Sequence, residues 1–149
     1  MLRIGQILIL NQNYLQMKIE KFEELEIWQL SRELSKYVFK ISSEKPFVFD
    51  YKLRDQIKTS SGSIMDNIAE GFERDGNKEF VQFLSVSKGS CGECRSQSYR
   101  AFDYNYIDEE TLNQLIQKTT ILSKKISRFM TYLKTCNFKG TKFNQNHET

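Results

Sequence analysis

An all-α fold, an up-down-up-down bundle of four antiparallel helices, is what this sequence predicts, and three observations predict it. Proline occurs once, at Pro46, and glycine only seven times in 149 residues, so few points force a helix to stop. Leu, Ile, Lys, Glu and Gln are plentiful, a composition that suits long helices better than a sheet with many turns. Apolar residues also recur at spacings of three and four in four separate segments, the signature of amphipathic helices. A chain of this length forms one domain and buries a core without disulfide or metal staples.

The N-terminal run Ile4–Leu10 is too short to span a bilayer, which takes about 20 residues. One basic residue precedes it and no small-residue cleavage site follows, so it makes a poor signal peptide. Met17 begins MKIEKFEELEIWQL, which reads as a natural protein start. Residues 1–16 are therefore expected to be an extension outside the bundle, and the bundle to occupy 17–136.

The first helix is expected from Phe22 to Ile41, with Ile27, Leu30, Leu34, Tyr37, Val38 and Ile41 on one stripe and Trp28 at its edge. Pro46 disfavours helix at Lys45 and closes it. The second runs from about Asp50 to Phe72 around Leu53, Ile57, Ile64 and Ile68, with Gly71 and Gly76 expected as breakers. A third follows from near Asn77 to about Tyr104. The fourth opens at Asp108, a good N-cap, with Glu109 and Glu110 where the helix dipole favours acid. Leu112, Leu115, Thr119, Leu122, Ile126, Phe129, Leu133 and Cys136 then alternate by three and four, a seam for packing at a shallow angle. After Cys136 the period is lost, so residues 137–149 read as a polar tail. Short connections between helices imply antiparallel neighbours.

At roughly 100° per residue, Gln56, Ser63, Asn67, Glu70 and Arg74 share a narrow band beside the core stripe of the second helix. On the third helix Phe80, Phe83, Leu84, Ser87, Cys91, Cys94, Ser98, Ala101 and Phe102 share a core face, while Glu79, Val86, Ser90, Glu93 and Gln97 line its flank. These polar stripes are either a solvated flank or a second interface, between helices or between subunits, where amides, hydroxyls and charges satisfy one another. Gly89 and Gly92 sit in mid-helix, where glycine costs about 1 kcal/mol relative to alanine; another backbone is expected to come close there.

The Cys91-x-x-Cys94 spacing invites a redox or zinc reading, and its context argues against both. Thioredoxin-type thiols sit at a helix N-terminus after a strand, whereas these lie in mid-helix on the core face. A zinc site needs two further ligands, and only Cys136 and His147 remain. Three cysteines make no disulfide framework and fit a reducing, cytoplasmic setting. The lone histidine lies in the tail, and neither a phosphate loop nor a nucleophile elbow is present. An enzyme is therefore not expected, nor a metal or other cofactor.

The run LRDQIKTSSGSIMDNIAEGFERDGNKEFVQFLSVSKGSCGE, residues 53–93, resembles the signature of the four-helix bundle proteins encoded in 23S rRNA intervening sequences. The matching residues include Leu53, Gln56, Ile57, Ser63, Ile64, Asn67, the run Ile68 to Phe72, Arg74, Lys78, Glu79, Phe80, Phe83, Leu84, Gly89, Ser90 and Glu93. Ser60 and Ser61 stand where alanines are usual and Cys94 replaces a larger apolar residue, changes expected to thin the core slightly. With its flanks the resemblance spans about residues 20–136. It implies a homopentamer, in which Gln56, Ser63, Asn67, Glu70, Arg74, Glu79, Gly89, Ser90 and Glu93 would serve packing and assembly. A related branch, the accessory variability determinants of diversity-generating retroelements, works with a reverse transcriptase and template RNA, so the resemblance also implies RNA or a polymerase-type protein as partner.

Charge bears on that choice without settling it. The net charge is a modest +3, but Lys118, Lys124, Lys125, Arg128, Lys134, Lys139 and Lys142 face only Glu148 after residue 117. That excess is either a solvated helix face or an RNA-binding surface that an oligomer would multiply. Tyr99, Tyr104 and Tyr106 cap the bundle end on the simpler reading and stack on bases on the other. The functional expectation is a non-catalytic RNA-binding or ribonucleoprotein scaffold, with a protein–protein adaptor as alternative, and no membrane association.

Overall fold

The periodic segments fold as four α-helices in the computed structural model, which describes residues 19–135. Helix α1 is Glu26–Ser42, α2 Tyr51–Glu73, α3 Asn77–Asp103 and α4 Glu109–Thr135, with no strand among the described residues. The expected extension at 1–16 and tail at 137–149, with Cys136 and His147, lie outside the described residues. No helix among the described residues is long and apolar enough to cross a membrane.

Side-chain chemistry sets the helix ends. Asp50 accepts a hydrogen bond from the Leu53 amide at 3.0 Å, capping α2, and Asp108 accepts one from the Thr111 amide at 2.8 Å at the start of α4. Each supplies an acceptor for an amide that has no partner within its own helix. Gly76, with φ of +100°, makes the turn into α3, a conformation that L side chains rarely adopt. Gly71 departs from its expected role. It lies inside α2, which runs two residues further, and it is buried; what it provides is close packing rather than a break.

Each helix packs on its sequence neighbours, and α1 also packs on α4. Hydrogen bonds between α2 and α3 pair Gln56 with Arg100, Ser60 with Gln97, Ser63 with Ser90 and Ile64 with Ser87. Between α3 and α4 they pair Asn77 with Leu133 and Cys91 with Thr119. Glu26 and Tyr37 of α1 meet Lys125 and Lys118 of α4. Along each of these helix pairs one residue number falls as the other rises.

The core lies between the four helices. Ile27, Leu34, Val38 and Ile41 of α1 are buried, as are Leu53, Ile57, Ile64 and Ile68 of α2. Every described member of the α4 seam, from Leu112 to Leu133, is buried too. Edge-on contacts of Phe80 with Phe72 at 6.1 Å and Phe129 at 5.5 Å fill one region, while Phe47, fully buried in the short 3₁₀ turn Phe47–Phe49, packs on Tyr106. On α3 the outer two members of the expected core face differ. Phe83 is only half-buried and Phe102 is 36% exposed, because both sit at the margins of a face whose centre is taken by Phe80, Leu84, Cys91 and Cys94.

Candidate functional site

The polar bands of α2 and α3 meet along one seam. Arg100 donates to Gln56 Oε1 at 2.8 Å. One step along, Ser60 donates to Gln97 Oε1 at 2.6 Å, and Gln97 Nε2 donates to Glu93 at 3.1 Å. Next, Ser90 donates to Ser63 Oγ at 3.1 Å, and Asn67 Nδ2 donates to the same oxygen at 3.0 Å. Glu70 and Arg74 then pair at 2.7 Å, with the Arg74 guanidinium 5.3 Å from the Phe83 ring centre. The Glu70 contact, and more weakly the charge of Glu79, hold the Arg74 guanidinium above its ordinary pKa.

The seam therefore has a buried inner edge and a wet outer one. Gln97 is 5% exposed and Ser60 2%, whereas Gln56, Glu70, Arg74, Glu79, Gly89 and Glu93 are exposed. Buried polar groups need partners, and among the described residues no buried side-chain nitrogen or oxygen lacks one. Gln97, expected on the flank, is in fact buried. Ser60, expected to thin the core, instead donates the hydrogen bond that makes burying Gln97 tolerable. The Ser60 hydroxyl also reaches the Ile57 carbonyl of its own helix at 3.2 Å, so a serine on the core stripe did not by itself call for a partner on α3; Arg100 carried no signal either.

Glycines along these helices behave differently from one another. A Cβ on Gly71 would stand 2.7 Å from Phe83 Cβ and 2.8 Å from Phe80 Cδ2, closer than carbon atoms pack. At Gly62, Gly89 and Gly92 it would meet nothing within 4 Å. The close approach expected at Gly89 and Gly92 is thus absent within the described chain, and Gly71 is where helix packing requires glycine.

On α4 the cations divide into two sets. Lys125 pairs with Glu26 at 2.8 Å, with both side chains mostly buried, and Lys118 lies 5.4 Å from the Tyr37 ring centre. Lys124, Arg128 and Lys134 are exposed and form no such contact among the described residues, and Lys118 is exposed as well despite its ring contact. Between Thr111 and Thr135 the helix carries no Asp or Glu, so its outward face has no compensating acid of its own. Of the tyrosines near the end of α3, Tyr106 donates to Asp50 at 3.0 Å and packs its ring tilted against Phe47 and edge-on to Tyr104, which fixes the bundle end. Tyr99 and Tyr104 remain 46% and 53% exposed.

The two described cysteines are free and buried. Burial disfavours the thiolate, pushing Cys91 up to about 11 and Cys94 to about 12. Cys91 also donates its S–H to the Thr119 carbonyl at 3.1 Å. Among the described residues no three His, Cys, Asp or Glu side chains gather as a metal-holding group.

Comparison with known proteins places this geometry. The profile of the family described as 23S rRNA-intervening sequence protein matches residues 23–128. No curated protein matches the chain. Among solved structures, one similar chain is a protein of unknown function from the S23 ribosomal protein family of Bacteroides thetaiotaomicron VPI-5482. It is 18% identical with a TM-score of 0.65, over 70% of this chain and 97% of that one, a likeness that speaks for the fold alone.

Proposed function

Because the chain belongs to the 23S rRNA-intervening sequence protein family, we propose that it is a non-catalytic RNA-binding scaffold, built as an antiparallel up-down-up-down bundle and working as a homo-oligomer in the cytoplasm. The opposite running of paired residue numbers supports the antiparallel order. The family resemblance read from NIAEGF and its flanks supports a pentamer, with the wet outer edge of the α2–α3 seam as the surface between copies. Val86, 52% exposed beside Ser90 and Glu93, gives that edge an apolar centre.

One observation carries the RNA reading: Lys124, Arg128 and Lys134 stand exposed on a helix that has no acidic residue after Glu110. A symmetric assembly repeats that face and raises the local field well beyond that of one protomer. Phosphate contacts release counterions, so affinity for RNA falls steeply as salt rises. Purified full-length protein should therefore run as an oligomer in light scattering, carry nucleic acid, and bind single-stranded RNA with a steep salt dependence. A monomer free of RNA, or binding indifferent to salt, would overturn the proposal; an oligomer without RNA affinity would favour an adaptor for a polymerase-type protein instead.

A further inference from the structure

Four cation–ring pairs lie along the α1–α2 side of the bundle, away from the α2–α3 seam. Arg32 lies over Trp28 at 5.7 Å and Lys58 over Phe39 at 5.3 Å. Arg54 lies over Tyr51 at 4.8 Å and Lys45 over Phe49 at 5.8 Å. Arg54 is held in place by its hydrogen bonds to Asp55 and the Val48 carbonyl. Three of the rings are among the most exposed large side chains described: Phe39 and Phe49 at 59% and Tyr51 at 64%. On α2, Tyr51, Arg54 and Lys58 fall within one narrow band at about 100° per residue. Gly62 falls in the same band, and a side chain there would meet nothing within 4 Å. Glycine is disfavoured in a helix interior, so internal packing gives no reason for it; its effect is to keep the strip free of an obstructing side chain.

We infer that this strip is a base-stacking surface for a single-stranded segment of RNA, distinct from the phosphate-facing cations of α4. The inference rests on the RNA reading above and says where bases, rather than phosphates, are held. Phe39, Phe49 and Tyr51 each have a cation near the ring and are more than half exposed, so a base can stack on such a ring while the ammonium or guanidinium stays within reach of the strand's phosphates. Trp28, packed edge-on by Phe22 at 5.1 Å, flanks the strip rather than offering a stacking face. Charge decides between this occupant and a second copy of the chain. Cores of protein interfaces are depleted in lysine, whereas here Lys45 and Lys58 accompany two of the three exposed rings.

The test compares a labelled single-stranded oligo(A) RNA with an RNA duplex of equal length, by fluorescence anisotropy on the full chain. Phe39→Ala and Tyr51→Ala should each weaken single-strand binding on the order of 10-fold. Duplex binding and the salt slope should stay unchanged, and Tyr51→Phe should retain wild-type affinity because the ring, not the hydroxyl, stacks. Circular dichroism and light scattering on the same variants check fold and assembly. Unchanged single-strand affinity, while Lys124→Gln with Arg128→Gln weakens binding, would overturn the strip and leave the RNA reading standing. Loss of the oligomer in the ring variants would overturn it by marking the strip as an interface between copies. A wild-type protein that binds no RNA at low salt would remove both.

Discussion

Gly71 and Gly89 look alike in the sequence, both glycines inside helices, and the structure gives them opposite roles. A methyl at Gly71 collides with Phe83 Cβ, an atom at the root of its side chain that moves only with the α3 backbone. Gly71→Ala should therefore lower stability by about 1–3 kcal/mol, the usual range for overpacking, read as an earlier urea midpoint. At Gly89 the same methyl meets open space within the single chain, and alanine's better helix propensity should raise the stability of the protomer by up to about 1 kcal/mol. Equal effects at the two positions would contradict the packing described. The cysteines separate in the same way from their motif. Because burial pushes Cys91 to about 11 and Cys94 to about 12, neither is a thiolate near pH 8. Iodoacetamide should leave both unmodified in the native protein and label both in urea, as residue-level mass spectrometry would show; rapid native labelling of either would restore a chemical reading of the Cys-x-x-Cys.

Elements were the most legible part of this chain, since periodicity and caps are local. The α4 seam was readable because a buried face must repeat at three and four, and Asp108 because an N-terminal amide needs an acceptor. Its carboxyl is held below the ordinary carboxylate range mainly by its hydrogen bonds with Thr111. A lowered folded pKa means that the cap contributes fully above the ordinary carboxylate range and is lost as pH falls through the lowered value. Asp108→Ala should therefore lower the thermal midpoint at neutral pH, and the gap should close as the pH drops below that value. A constant gap across that window would mean the cap does not act through its charge. What periodicity could not show was pairing across helices. Gln97 lies at the border between flank and core, and only the docking of α2 on α3 decides that it turns inward to Ser60. Lys125 could be placed beside the seam by its heptad position, but its partner could not be read until α1 brought Glu26 within 2.8 Å.

At the scale of the whole molecule, a net charge of +3 conceals an uneven distribution. The α2–α3 seam closes its own hydrogen bonds, the α1–α4 contact absorbs Lys125, and the outer face of α4 carries its cations on a helix with no acidic residue after Glu110. The candidate surfaces were legible as residue types in bands, because side-chain direction follows from helix geometry. The division between cations that brace the bundle and cations that face outward was legible in direction, since heptad position puts Lys118 and Lys125 beside the α4 seam and Lys124 and Arg128 further out. The partners Tyr37 and Glu26 were not, because they depend on which helix lies alongside. That division is also what the functional account depends on: Lys124 and Arg128 should engage phosphate, while Lys125 should serve the fold. The most direct test is the slope of log affinity against log salt for a single-stranded RNA, measured for wild type and for the Lys124→Gln, Arg128→Gln double variant. Each lost phosphate contact should make the slope shallower by about 0.7, with the oligomer intact. An unchanged slope and affinity in the double variant would contradict the account.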